Sequence, residues 1–187
     1  MKKLFLGAAI LAAGVASAQI QEGNWMVGGQ VAHMKFTNGL NVALTPQVGY
    51  FIKDNWVVGG EVGLSLTKPT GKNATQTDWS LGAFTRYYLS DAQADHLLKN
   101  GRFFAQGNVG FGGNNVSSGG SSTNGVDLGI GAGYSYFITK NVSLDALLKF
   151  NALVGAGSSA GKGNLGLNVG FQIYLPSSKV EAALKDR

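Results

Sequence analysis

Apolar and polar residues alternate along the last part of the chain with hardly a break. In GNLGLNVGFQIYLP, positions 163–176, Leu165, Leu167 and Val169 share one side, while Asn168 and Gln172 share the other. A period of two residues is typical of a β-strand with two different faces. In a soluble protein the apolar face packs inward, whereas in a membrane barrel that face meets lipid. The interpretation of the whole chain depends on which of these holds.

Seven earlier stretches alternate in the same way and predict seven further strands. They cover positions 24–36, 40–52, 55–67, 77–89, 102–112, 126–138 and 142–154. Each is about 11 to 13 residues long, slightly more than the ~9–11 residues with which a tilted strand crosses a bilayer. Pro46 lies inside the second stretch and cannot donate to a strand ladder, so we expect a local bulge there.

The connections between the stretches are of two kinds. Positions 53–55 and 139–141 predict tight turns, because they are rich in Asp, Asn and Lys. Positions 67–76, 114–125 and 155–163 predict longer loops rich in Gly, Ser, Thr and Asn. Positions 90–101 are an exception, a longer connection on the short-turn side. Short turns at one end and longer loops at the other are typical of outer-membrane barrels.

A weak internal repeat runs through the alternating stretches. YFIKDNWVV from Tyr50 resembles YFITKNVSL from Tyr136, and YYLS from Tyr87 resembles IYLP from Ile173 at the same spacing of 86 positions. Two explanations stay open at this point. Either four strands were duplicated, or similar hairpins use similar residues.

The composition of the two faces indicates which one is inside. Water-exposed surfaces are dense in Lys, Glu, Asp and Arg, but the polar face here is mostly Gly, Ser, Asn, Gln and Thr. Charged residues make up only 13% of the chain, and the apolar face carries none except Lys35 near a strand end. Contact with lipid explains that absence, because an outward Lys or Arg at the bilayer midplane costs ~2–4 kcal/mol.

Aromatic residues are concentrated near the predicted strand ends. Near the short turns and the termini these are Trp25, Tyr50, Trp56, Tyr87, Phe103, Tyr136 and Phe171, and near the loops they are Trp79, Phe111 and Phe150. Banding of this kind predicts aromatic girdles at the two membrane interfaces. We therefore predict an all-β fold, an eight-stranded antiparallel up-and-down transmembrane β-barrel with its apolar face outside.

The predicted lumen is narrow and polar. Eight strands leave an interior that side chains can fill, and the inward candidates for a polar network are Glu61, Arg86, Asp145, Lys149, Gln47 and Gln172. Glu61 and Arg86 lie on adjacent strands at similar depth, so we expect them to pair. Three inward glycines at 129, 131 and 133 are expected to make room for Arg86 and Tyr88. Such a network can plug the barrel, and the alternative is an ion-conducting path.

The start of the chain predicts export. Lys2 and Lys3 precede an apolar run at 4–15, and Ala16-Ser17-Ala18 is a small-residue cleavage site. We expect a cleaved signal peptide at 1–18, the barrel at 19–176 and a short periplasmic tail at 177–187. The chain has no cysteine, which excludes a lipoprotein anchor, disulfides and cysteine metal sites. Its formal net charge of +5 becomes +3 without Lys2 and Lys3, an excess too mild to indicate nucleic-acid binding.

The segments PQVGYFIKDNWVVGG and GAFTRYYLS, together with the signal peptide and the eight alternating stretches, resemble the outer-membrane β-barrel domain family of Gram-negative bacteria. Small barrels such as outer membrane protein X and the barrel of outer membrane protein A share this architecture. The resemblance implies an integral protein of the outer membrane and covers most of residues 20–176. The closing strand also resembles the signal that the barrel-assembly machinery reads, through Asn168, Gly170, Ile173 and Leu175.

These observations lead to an expected function. We expect a non-enzymatic, monomeric barrel that contributes to envelope structure or surface contacts and needs no cofactor. Its expected partners are outer-membrane lipids, including lipopolysaccharide, and the barrel-assembly machinery. Lys68, Lys72 and Lys162 lie on the predicted loops and would form a basic extracellular rim beside lipopolysaccharide phosphates.

Two other functions remain as alternatives. The first is a narrow porin-like channel. The second is a lipid A-modifying enzyme, which would need a nucleophile and a base within hydrogen-bond reach. His33 is the only histidine of the predicted strands, and no serine or carboxylate shares its predicted outward face, so this alternative ranks below the channel.

Overall fold

The chain folds into a closed β-barrel. A computed structural model describes residues 20–35, 39–69, 76–89, 101–116, 123–156, 163–178 and 180. The strands are β1 (Trp25–Lys35), β2 (Gly39–Lys53), β3 (Trp56–Pro69), β4 (Gln76–Tyr88), β5 (Gly101–Val116), β6 (Thr123–Thr139), β7 (Val142–Ala156) and β8 (Gly163–Leu175). Each pairs antiparallel with its neighbours in chain order, and β8 pairs with β1. The predicted eight-stranded up-and-down barrel is confirmed.

Parts of the chain lie outside this description. The predicted signal peptide at 1–18 and the end of the tail, 181–187, are among them, so the predicted domain bounds stay predictions. No helix among the described residues is long and apolar enough to cross a membrane.

Six of the eight strands, β2 to β7, extend further at the loop end than the sequence predicted. The difference is largest at β5 and β6, where Asn114 pairs with Thr123 and Gly113 pairs with Asn124. Gly, Asn and Ser usually mark loops, and the predicted strands ended at 112 and began at 126 for that reason. Backbone groups make the ladder bonds, so pairing continues through residues whose side chains do not indicate a strand.

The predicted bulge at Pro46 is wrong. Leu44 pairs with Leu64 and Gln47 pairs with Glu61, so the register of β2 on β3 is the same on both sides of the proline. On its other side Pro46 lies opposite Gly29 of β1, again without a shift. The missing N–H removes one donor from the ladder, and the strand tolerates that loss without inserting a residue.

The outer surface of the barrel is apolar. Leu81, Phe111 and Ile130 are 61%, 71% and 69% exposed. The polar residues that alternate with such apolar residues along each strand turn inward. Six of the seven aromatic residues predicted for the short-turn girdle are exposed there, namely Tyr50, Trp56, Tyr87, Phe103, Tyr136 and Phe171. Trp25 is partly exposed. The alternation therefore has the inside-out arrangement that the sequence predicted.

The internal repeat is visible in the register. Phe51 lies opposite Val57 in the β2–β3 pair, and Phe137 lies opposite Ser143 in the β6–β7 pair. Both hairpins carry one register shift next to the turn. The backbone N–H of the tyrosine that ends β4 donates to the carbonyl of Asn55 at 2.8 Å, and the N–H of Tyr174 donates to that of Asn141 at the same distance. Equivalent turns are thus held in the same way four strands apart.

Candidate functional site in the barrel lumen

A buried arginine organises the middle of the lumen. Arg86 of β4 reaches across to Asp145 of β7, with Nη1 and Oδ2 2.6 Å apart and both side chains almost wholly buried. Its Nε donates to Gln106 at 2.8 Å, its Nη1 donates to the hydroxyl of Tyr88 at 3.0 Å, and its guanidinium lies 4.1 Å from the ring centre of Phe104. These contacts suit a planar cation with several fixed donors.

The carboxylate of this ion pair is also well supported. Ser135 and Ser143 donate to Oδ1 of Asp145 at 2.7 and 2.8 Å. The hydroxyl of Ser143 lies 3.1 Å from that of Tyr174. A buried ion pair is stable only when further hydrogen bonds compensate its desolvation. Here Ser135 and Ser143 donate such bonds to Asp145, and the Tyr88 hydroxyl accepts one from Arg86.

Hydrophobic side chains fill the lumen at its short-turn end. We call this group the lumen plug; its members are Met26, Phe51, Val57, Phe84, Tyr88, Phe104, Phe137, Leu147 and Tyr174, all at most 9% exposed. The hydroxyls of Tyr88 and Tyr174 lie 2.9 Å apart, and the ring of Phe51 packs near both tyrosines. The expectation of a polar lumen is therefore wrong for this end, where most inward side chains are apolar.

Aromatic doublets are the sequence signal that would have found the plug. They are Tyr50-Phe51, Tyr87-Tyr88, Phe103-Phe104 and Tyr136-Phe137. In each doublet the first ring is exposed on the outside and the second is buried inside. Successive side chains of a strand point to opposite faces, so a doublet at a strand end supplies one residue to the girdle and one to the plug.

A chain of hydrogen-bonded side-chain amides runs around the inner face of the barrel from β8 to β3, nearer the loop end than the Arg86–Asp145 pair. Asn168 of β8 donates to Gln30 of β1 at 3.2 Å, Gln30 donates to Gln47 of β2 at 3.3 Å, and Gln47 donates to Glu61 of β3 at 2.6 Å. Lys149 of β7 reaches Glu61 from the other side, with Nζ and Oε1 3.5 Å apart. This amide chain runs in one direction and ends on a carboxylate.

The expected pairing of Glu61 with Arg86 is wrong. In the β3–β4 register Glu61 lies opposite Gly82, and Arg86 lies opposite Val57. The two side chains therefore occupy different layers of the lumen, and each binds a partner on β7. Gln172, the remaining predicted member of the network, is fully buried, and neither atom of its amide has a hydrogen-bond partner among the described residues.

The inward glycines of β6 make room for neighbouring strands rather than for Arg86 and Tyr88. A Cβ on Gly133 would meet the ring of Phe104, and one on Gly129 would meet the side chains of Asn108, Asn151 and Lys149. The expectation that these glycines face Arg86 and Tyr88 is corrected accordingly. Their effect is local, because the nearest atoms around the three glycines belong to the neighbouring strands β5 and β7.

A cavity of about 410 Å³ lies in the loop-end half of the lumen. Its charged lining residues are Glu61, Asp78, Asp127 and Lys149, and among its polar ones are Asn151, Asn164 and Asn168. Among the described residues no group of three or more His, Cys, Asp or Glu side chains is placed to hold a metal ion. The cavity thus has three carboxylates and one ammonium group in its wall.

The other predicted site residues are distributed as follows. Lys68 is exposed near the loop end of β3, whereas Lys72 and Lys162 lie outside the described residues. Within the predicted assembly signal, Asn168 belongs to the amide chain, Gly170 packs against the backbone of β1, and Ile173 and Leu175 are partly buried on the strand that closes the barrel. The side chain of His33 is outside the described part of the chain.

Comparisons with known proteins agree with this architecture. No protein-family model and no curated protein matches the chain. Among solved structures, Neisserial surface protein A matches with a TM-score of 0.59 and 17% identity, over 80% of this chain and 94% of that one. The N-terminal β-barrel domain of Pseudomonas aeruginosa OprF matches with a TM-score of 0.54 and 16% identity, over 82% and 98%.

A third solved structure extends the comparison. The outer membrane protein OprG from Pseudomonas aeruginosa matches with a TM-score of 0.53 and 12% identity, over 84% of this chain and 98% of that one. At these identities the likeness concerns the fold. The fold is that of the small eight-stranded outer-membrane β-barrels.

Proposed function

We propose that this protein is an integral outer-membrane barrel that does not conduct ions and contributes to envelope structure or to contacts at the cell surface. The observation that carries the proposal is the lumen plug, whose nine hydrophobic side chains are at most 9% exposed. Beside it, Arg86 of β4 and Asp145 of β7 join two strands that are not neighbours, with Nη1 and Oδ2 2.6 Å apart. An ion crossing this region would have to displace packed rings and break a buried ion pair.

The outer surface supports a place in the membrane. Between the strand ends, the described outward side chains carry no charge, and large apolar residues such as Leu81, Phe111 and Ile130 are mostly exposed. A soluble protein rarely exposes so large a contiguous apolar area. Aromatic residues near both strand ends supply interfacial anchors. Fractionation and N-terminal sequencing test this placement, with the mature chain expected to begin at Gln19.

Conductance in a planar bilayer tests the plug. The wild-type barrel is expected to show no stable openings in ordinary salt. Replacing Tyr88 and Phe104 by Gly is expected to produce openings, because it removes two rings from the plug. The matched control replaces Tyr87 and Phe103 by Gly, which removes the outward members of the same doublets and should leave the barrel closed. Stable openings of the wild type would overturn the proposal in favour of a narrow channel.

A channel is the second candidate, and the loop-end cavity is the observation that favours it. An enzyme is not proposed, since all described carboxylates within the strands, Glu61, Asp78, Asp127 and Asp145, point into the lumen. Among the described strand residues, a nucleophile on the lipid-facing side would therefore have no carboxylate on the same face.

Partners at the cell surface and during assembly belong to the same proposal. Lys68, with Lys72 and Lys162, would contact lipopolysaccharide phosphates, and the closing strand β8 would be read by the barrel-assembly machinery. We expect the barrel to act as a monomer. Replacing the three lysines by Gln should weaken binding to phosphorylated lipopolysaccharide more than to its dephosphorylated form, and more strongly at low salt. Equal affinity of the wild type for the phosphorylated and the dephosphorylated lipopolysaccharide, or no effect of replacing the three lysines, would contradict the proposed basic rim.

A further inference from the structure

A short segment before β1 runs along the short-turn end of the barrel to the β2–β3 turn. We call residues 20–24 the N-terminal strap. Ile20 is the only hydrophobic side chain of the strap, and it is partly buried and packs against the lumen plug. Gln21 and Glu22 are exposed. The strap therefore covers part of the plug at the short-turn end.

The β2–β3 turn holds the strap through hydrogen bonds to its backbone. The N–H of Asn55 donates to the carbonyl of Ile20 at 2.8 Å. The N–H of Glu22 donates to Oδ1 of Asp54, also at 2.8 Å, and this bond is exposed to solvent. Two neighbouring turn residues therefore bind the strap, one through its backbone and the other through its side chain.

Asn55 has an unusual backbone conformation. Its φ is 67°, and in the described part of the chain it is the only residue other than glycine with a positive φ. The left-handed region is unfavourable for residues with a Cβ, although asparagine enters it more readily than most. Non-glycine residues in this region persist where the surrounding structure imposes the conformation, and they are concentrated at clamps and switches. The conformation of Asn55 therefore points to a specific role for this turn.

The equivalent turn four strands away shows that the hairpin alone does not require this conformation. Asn141 takes the place of Asn55, and its carbonyl accepts from Tyr174 as that of Asn55 accepts from Tyr88, both at 2.8 Å. The N–H of Asn141, however, bonds within its own turn to Oγ1 of Thr139 at 3.2 Å, and its φ is not positive. The left-handed conformation thus accompanies the bond to the strap and not the hairpin.

We propose that the N-terminal strap is a releasable closure of the short-turn end of the lumen, held by Asn55 and Asp54. A single hydrophobic contact and exposed hydrogen bonds are typical of a segment that opens before the rest of a fold. Asn55 also links the strap to the plug, because its N–H bonds to Ile20 and its carbonyl bonds to the N–H of Tyr88. The closure goes beyond the proposed function, and its test does not depend on whether the barrel conducts.

Digestion with a Glu-specific protease tests the proposal on the full chain purified from outer membranes in non-ionic micelles. A cut after Glu22 is identified by the mass of the remaining chain, and its rate reports the open fraction of the strap. The folded wild type should be cut much more slowly than the same chain unfolded in urea. Asn55→Ala should speed the cut about tenfold, because alanine is disfavoured at positive φ. Asn55→Gly should not, because glycine adopts that conformation freely.

Matched variants separate the strap from general effects on the barrel. Asn141→Ala makes the same change at the equivalent turn and should leave the cut after Glu22 unchanged. Asp54→Ala removes the acceptor of the Glu22 N–H and should speed the cut, whereas Asp54→Asn keeps an oxygen acceptor and should speed it less. The gel mobility of unheated samples shows that each variant is folded. If Asn55→Ala does not fold, the two Asp54 variants decide the same question.

A cysteine in the plug tests whether the strap closes the lumen. Val57 is fully buried in the plug, so Val57→Cys should react slowly with a water-soluble thiol reagent and faster once Asn55→Ala is added. A folded wild type cut as fast as the unfolded chain would overturn the strap, as would equal rates within both the Asn55 and the Asp54 pairs. A faster cut with unchanged reactivity of Val57→Cys would overturn its role as a closure.

Discussion

The two halves of the lumen share the same eight strands but differ in how they are filled. On β4 the inward residues pass from Tyr88, Arg86 and Phe84 at the short-turn end to Gly82, Ser80 and Asp78 at the loop end. On β6 they pass from Phe137 and Ser135 to Gly133, Gly131 and Gly129. The short-turn half is packed, and the loop-end half encloses a cavity. A gradient in side-chain size, along strand ladders that continue through both halves, packs one half and leaves a cavity in the other.

The two ion pairs show the same difference. Arg86 and Asp145 are 2.6 Å apart, with side chains 0% and 1% exposed, and both have further hydrogen bonds. Lys149 and Glu61 are 3.5 Å apart at the cavity wall, with exposures of 6% and 5%. The first pair is part of the packing, whereas the second lies in the wall of the cavity.

The largest expected effect comes from breaking the packed pair. Asp145→Asn leaves the Arg86 guanidinium buried without its counter-charge, and removing one partner of a buried ion pair costs about 3–5 kcal/mol. Urea unfolding of the refolded barrel in lipid vesicles measures the loss. Replacing both residues together, by Met and Leu, should recover much of it. A loss below about 1 kcal/mol for the single variant would contradict a structural role of this pair.

A smaller effect is expected at the pair beside the cavity. Lys149→Met should lower the free energy of unfolding by about 1–2 kcal/mol, because Glu61 keeps its hydrogen bond from Gln47 and lines the cavity rather than the packed plug. The same urea measurement applies. If this variant is destabilised as much as Asp145→Asn, the two halves of the lumen do not differ as described.

Cysteine accessibility distinguishes the two halves without a large change in stability, since the chain has no cysteine of its own. Leu147 and Asn151 both point inward from β7, the first into the plug and the second into the cavity. A water-soluble thiol reagent should modify Asn151→Cys quickly and Leu147→Cys slowly in the folded barrel. Equal rates would show that water passes the plug.

The smallest effect is expected for spin labels on the outward and inward faces of β8. Val169 is 56% exposed and Asn168 is 8% exposed. A membrane-phase relaxation agent should therefore reach a spin label on Val169→Cys and should be kept from one on Asn168→Cys. The reverse order would mean that the apolar face is not in lipid.

Local patterns along the chain were sufficient for the architecture. Alternation with a period of two identifies a strand and its two faces, and all eight strands were predicted within a few residues. The scarcity of charge on the apolar side predicted that side to be the outside, because the cost of a charge in lipid acts on each position separately. The aromatic doublets also contained information about the plug. Phe51 and Phe104 directly follow Tyr50 and Phe103, which were predicted to face outward, so alternation places them inside.

The partners inside the lumen were decided only by the tertiary structure. Arg86 meets Asp145, 59 residues away on a strand that is not its neighbour, while Glu61 meets Lys149. Periodicity predicts that such side chains point inward, but it does not predict their position along the barrel axis. That position depends on the register of every strand pair and on the tilt that closes the barrel. Both arise only when all eight ladders form together.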